Sequence, residues 1–117
     1  MRVKKFNDEV LFSEDEVVQV RRIDISFFKK ACKVNPRRRI RLCTHKSPDE
    51  KMHEMFIIKA RGAYVRPHKH PTTPISYHLI EGKLTIVLFD LKKNVKGVIR
   101  LGDYSSGKTF YFRIPPD

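Results

Sequence analysis

The spacing of apolar and polar positions changes once along this chain, near residue 36. Before that point, DISFFKKACKV places Phe27, Phe28, Ala31 and Cys32 at the spacing of one helical face. Asp24 or Ser26 suits the N-cap, and Pro36 keeps the residue before it out of the helical region. The pattern predicts one amphipathic helix at about 25–34, packed on whatever follows. The residues before it are ambiguous. Leu11–Phe12 and Val17–Val20 read as short edge strands, while Ser13 followed by Glu14, Asp15 and Glu16 equally suits a brief helical turn.

After residue 36 no helical period recurs. In PRRRIRLCTH, Arg37, Arg39, Arg41, Cys43 and His45 share one strand face, and Arg38, Ile40, Leu42 and Thr44 share the other. That arginine face suits an edge strand kept soluble by charge, or a basic wall along a pocket for phosphate or carboxylate. MHEMFIIKA, AYVRPHKH, ISYHLI, LTIVLFD, VKGVIRL and TFYFRI follow as strands, with Glu81-Gly82-Lys83 as a hairpin turn. Short strands at intervals of roughly ten residues argue for a sandwich or small barrel. The expected fold class is all-β with a short N-terminal helix. Residues 1–36 form an extension and residues 37–117 the barrel.

Composition narrows this modestly. A chain of 117 residues with 40% hydrophobic residues makes one domain with a single core, and excludes wholesale disorder. No run approaches a membrane span, and the first dozen residues lack the apolar core of a signal peptide. Neither Cys32 nor Cys43 sits in a CxxC pair, so both are expected as reduced thiols. A cytoplasmic location and no membrane partner are expected.

Charge changes the picture more. Twenty-five Lys and Arg against thirteen Asp and Glu give a net charge of +12. Such an excess attracts polyanions. The basic residues are spread along the chain without a nucleic-acid-binding motif, which argues against nucleic acid as the partner.

The candidate chemistry lies in GAYVRPHKHPTTPISYHLIEG, residues 62–82, which holds three of the five histidines. His68 and His70 are two apart, so an extended strand points both to one face, with Tyr64 and Arg66 on the same side. His78 follows Ile75 by three residues, which puts it on the opposite face unless a bulge re-aims it. His78 is a doubtful ligand.

The frame Gly62, five residues, His68-x-His70, four residues, Ile75, six residues, Gly82 resembles the first motif of the cupin superfamily. Helix FFKKACKV, NPRRRIRLCTH, GAYVRPHKHP and YHLIEGKLTIVLFD together resemble one branch, the WbuC-type cupins found with bacterial surface-polysaccharide genes. The resemblance covers residues 25 to 90 best. It implies a small jelly-roll barrel, the double-stranded β-helix of cupins. It also implies a divalent metal ion (Fe, Zn, Mn or Ni) held by His68 and His70.

Two departures bear on that metal. Ile75 stands where the family carries a carboxylate ligand. TFYFRIPPD fits the approach to the second cupin motif, whose histidine would fall beyond it, so the barrel is expected to end before the last strands of a full cupin. Two imidazoles fall short of the three protein ligands typical of a catalytic zinc, and no general base can be named.

The expected function is binding of a small anionic or sugar-derived ligand, with Arg39, Arg41, His45, Tyr64 and Arg66 around it and surface-polysaccharide metabolism as the setting. Whether the protein is an enzyme stays open. The alternative is a non-catalytic module that turns its basic surface to a protein or nucleic-acid partner. A homodimer is expected, since an open barrel edge invites pairing.

Overall fold

The computed structural model describes residues 1–62 and 73–116. The chain forms two compact units, Met1–Val65 and Arg66–Asp117. It is mostly β with one helix, and among the described residues the sheets do not close into a barrel.

The first unit is a four-stranded sheet with a helix across one face. Strands β1 (Val3–Lys5), β2 (Val10–Ser13), β3 (Arg39–Cys43) and β4 (Met55–Lys59) lie in that order. β2 and β3 are parallel, with Leu11 opposite Leu42, and the other two pairings are antiparallel. Parallel neighbours need a long crossover, and the helix α1 (Arg22–Val34) supplies it. Strands from both sides of residue 36 therefore share one sheet.

The edge-strand alternatives for Leu11–Phe12, Val17–Val20 and the arginine strand do not hold in this topology. β2 and the arginine strand β3 are both interior strands, and Val17–Val20 forms no strand.

The helix also starts earlier than its apolar period indicates. Arg21 is the N-cap in place of Asp24 or Ser26. Asp24 sits one turn inside, where its Oδ2 accepts the Arg21 N–H at 2.8 Å. A carboxylate there meets the positive end of the helix dipole, which stabilises the first turn. At the other end, buried Asn35 donates from Nδ2 to the Asp8 carbonyl at 2.8 Å, and its Oδ1 accepts the Arg37 N–H at 2.9 Å.

Phe28 and Cys32 of the helix pack on Ile40 and Leu42 of β3, with Leu11, Phe56 and Ile58 around them. Leu42 is completely buried. Burying one such side chain is worth about 1.5–3 kcal/mol, so this cluster dominates the stability of the unit. Phe27, expected beside Phe28 in the core, is 63% exposed. One helical position turns a side chain by about 100°, which carries Phe27 away from the sheet.

The second unit holds two antiparallel ladders. β5 (Ile75–His78) pairs with β8 (Tyr111–Ile114), and β6 (Lys83–Phe89) pairs with β7 (Val95–Gly102). Strict alternation half-buries Leu84, Ile86 and Leu88 while Thr85, Val87 and Phe89 face outward. Asp90 closes the β6–β7 turn, its Oδ1 accepting the N–H groups of Lys92 and Asn94 at 2.8 and 2.9 Å.

Gly82 has φ +93°, as a tight turn requires. That turn does not make a hairpin of β5 with β6, because each of them pairs with a later strand.

Candidate functional site

The helix covers one face of the first unit's sheet, and the other face carries the chemistry. Alternation along β3 sends Arg39, Arg41 and Cys43 to that open face. The register sets Lys59 beside Arg39 and Ile57 beside Arg41, while Phe12 and Met55 flank Cys43. His45 continues the row just past the strand.

One end of this face is cationic. Glu9 bridges two arginines there: its Oε1 lies 3.1 Å from Arg37 Nε, and its Oε2 accepts from Arg39 Nε at 3.1 Å. Arg41 and Lys59 stand next to this bridged pair, so four cations share the end of the face with one carboxylate. Partial burial first, then Arg39 and Arg41, push the Lys59 ammonium below the ordinary lysine range. The local charge excess is therefore a property of the fold as well as of the composition.

The other end is apolar and aromatic. Phe6, Val10, Phe12, Cys43, Pro48 and Met55 line a cleft of about 230 Å³, with Arg41, His45 and His53 as its charged and polar members. The Phe12 ring meets His45 edge-on at 5.5 Å, and the rings of His45 and His53 stack at 4.2 Å, within 4° of parallel. Each imidazole is held by a backbone carbonyl: His45 through Nδ1 to Glu54 at 3.1 Å, and His53 through Nε2 to Pro48 at 3.0 Å. A carbonyl only accepts, so each of those nitrogens carries the hydrogen. In the neutral rings the acceptors are then Nε2 of His45 and Nδ1 of His53.

His45 is 6% exposed, so its position is fixed by packing as well as by hydrogen bonding. Cys43 lies beneath the same cleft. Burial raises its thiol pKa, offset in part by Arg41, so at neutral pH it stays protonated and acts as a small apolar side chain.

Of the residues expected in the site, the structure brings Arg41 and His45 together and ties Arg39 to Glu9. His68, His70, Tyr64 and Arg66 lie outside the described residues. His78 is on β5, exposed and on the face opposite Ile75, with its ring against Phe110 and Tyr111 at 5.7 and 5.6 Å. Among the described residues, no three His, Cys, Asp or Glu side chains form a group that could hold a metal ion.

Sequence reasoning missed Glu9, Lys59 and His53. Glu9 is thirty positions from Arg39, and no local pattern joins them. His53 had one signal, its place before a β-strand eight residues after His45, but only the turn between them brings the rings together.

A family model described as a domain of unknown function, DUF6016, matches residues 21–101. The chain belongs to that family. The matched span runs from the start of α1 into β7, so it includes Arg39, Arg41, Cys43, His45 and His53 and leaves out Glu9, Phe6 and Phe12. No curated protein and no solved structure matches the chain. Among the described residues no helix is long and apolar enough to cross a membrane.

Proposed function

We propose that this chain binds a small anion with a compact apolar body on the open face of its first sheet. The observation that carries this reading is the placement of Arg41 where the cationic cluster meets the apolar cleft. An acidic group at Arg41 receives charge-assisted hydrogen bonds from a planar donor fork. The rest of the ligand lies along Phe12, Met55 and the His45–His53 stack, where His45 Nε2 accepts a hydrogen bond from the ligand. The lining is mainly apolar, which favours an aromatic or aliphatic phosphate or carboxylate over an unmodified sugar.

Calorimetric titration with phenyl phosphate, benzoate and inorganic phosphate tests this. Phenyl phosphate should bind more tightly than inorganic phosphate. Arg41→Ala should weaken it roughly tenfold or more, the scale of a hydrogen bond to a charged group. Equal affinity for both phosphates, unchanged in Arg41→Ala, would overturn the reading. Tight nucleic-acid binding that falls steeply with salt would replace it with the basic-module alternative.

We further read the whole chain as cupin-like, with a jelly-roll barrel, a cytoplasmic setting and a homodimeric state. The spacing around His68-x-His70 supports this, as do its two framing glycines, Gly62 and Gly82, at φ +88° and +93°. The donor set fits at most a weakly held divalent ion on two imidazoles and water, because Ile75 supplies no carboxylate. Elemental analysis of tag-free protein should show metal that His68→Ala abolishes. Metal content indifferent to that change would remove the ion from the proposal.

A further inference from the structure

Helix α1 carries a second apolar stripe that its own unit does not use. Ile23, Phe27 and Val34 are 74%, 63% and 84% exposed. At about 100° per residue these three fall within ~40° of arc, opposite the Phe28–Cys32 face buried on the sheet. Lys30 lies about 20° outside that arc, and Lys33 and Arg22 lie about 80–100° from it on the same side, all three exposed. Core packing explains Phe28 and Cys32, but it gives no reason for a phenylalanine, an isoleucine and a valine on the outer crest.

We propose that this crest docks on the surface of an anionic phospholipid membrane. Apolar side chains enter the headgroup boundary, while lysine and arginine stems reach phosphate from beside them. Charge decides the occupant. The helix exposes Arg22, Lys30 and Lys33, which opposes a second copy docking helix against helix, and an anionic surface complements them. An apolar crest edged by basic side chains is the pattern of a helix lying in an anionic lipid interface, and docking in the groove of an acidic protein is the competing outcome of the test. Nucleic acid would be served by the basic residues alone. That no helix among the described residues is long and apolar enough to cross a membrane does not bear on a helix lying against one.

Co-sedimentation of the full chain with phosphatidylglycerol–phosphatidylcholine vesicles, and with phosphatidylcholine alone, tests the proposal. Binding should require the anionic lipid and weaken with salt. Lys30→Glu with Lys33→Glu should reduce partitioning at least twenty-five-fold, at roughly fivefold for each basic residue lost.

The decisive variant is Ile23→Ser with Val34→Ser. It leaves the charge unchanged, alters only exposed positions and should still lose most of the binding. Full retention by that folded variant, checked by circular dichroism, means charge alone attracts the chain and overturns the proposal. Equal binding to neutral vesicles overturns it as well, as does preference for an acidic protein or RNA that displaces the chain from vesicles. Arg41→Ala should keep vesicle binding, so failure here is distinct from failure of the cleft reading.

Discussion

The two units solve the same problem with different means. Residues 1–65 have a helix to lay over their sheet, and among the described residues they hold most of the buried side chains: Phe28, Cys32, Ile40, Leu42 and Cys43, with polar Ser13, Asn35 and His45. The described residues of 66–117 form strands and one 3-10 turn, Tyr104–Ser106, and the deeply buried hydrophobic side chains among them are Leu101 and Phe112. A sheet face becomes dry only when something covers it. The lesson is that strand propensity makes ladders, whereas a covering element makes a core. It is also the covered unit that can hold a buried histidine and a bridged carboxylate in fixed positions, because its backbone is pinned from behind.

Breaking the comparison requires a change confined to one unit. Leu42→Ala should cost about 2–5 kcal/mol, because the leucine is fully buried and the cavity cannot fill from the helix. Hydrogen exchange should then lose protection across residues 1–62 and keep it across 73–116. Uniform loss would show one cooperative structure and end the distinction.

Gly102→Ala is the matching change in the second unit. An added Cβ there lies 2.9 Å from Ser106 Cβ and 3.2 Å from Lys108 Cδ, so the turn after β7 must shift. Overpacking of this kind costs about 1–3 kcal/mol, readable as a lower denaturation midpoint.

Glu9→Gln should do less to stability and more to binding. Its salt bridges are partly exposed, so about 1 kcal/mol should be lost. The same change frees Arg37 and Arg39, and the affinity for phenyl phosphate should rise. Weaker binding would show that Glu9 positions the arginines instead of competing for them.

The smallest effect is in alkaline pH. Burial holds the Cys43 pKa above its ordinary value, so the stability it contributes is full below that value and is lost as pH rises through the raised pKa. Lys59 has the opposite sign. Its folded pKa is depressed, the unfolded chain binds that proton more strongly, and stability rises between the depressed and ordinary lysine values. Denaturation midpoints across roughly pH 7 to 11 should decline less in Cys43→Ala and lose the rising component in Lys59→Met.

Much of this was legible in the amino-acid order. The 3.6-residue period gave α1 to within a few residues of its observed start. Period-two runs gave β3 to β8, and RxRxCxH marked a face on which Arg41 and His45 line one cleft, although Cys43 and His45 are buried in it. Such readings succeed because periodicity is local: each side chain's direction follows from the backbone torsions beside it.

What the order of residues could not supply was partnership. Only the tertiary structure made β2 and β3 parallel interior neighbours, set Glu9 between Arg37 and Arg39, stacked His53 on His45 and turned Phe27 outward. Pairings across thirty positions depend on which face finds cover and which crossover the chain can complete, and those are properties of the packed unit, not of any segment within it.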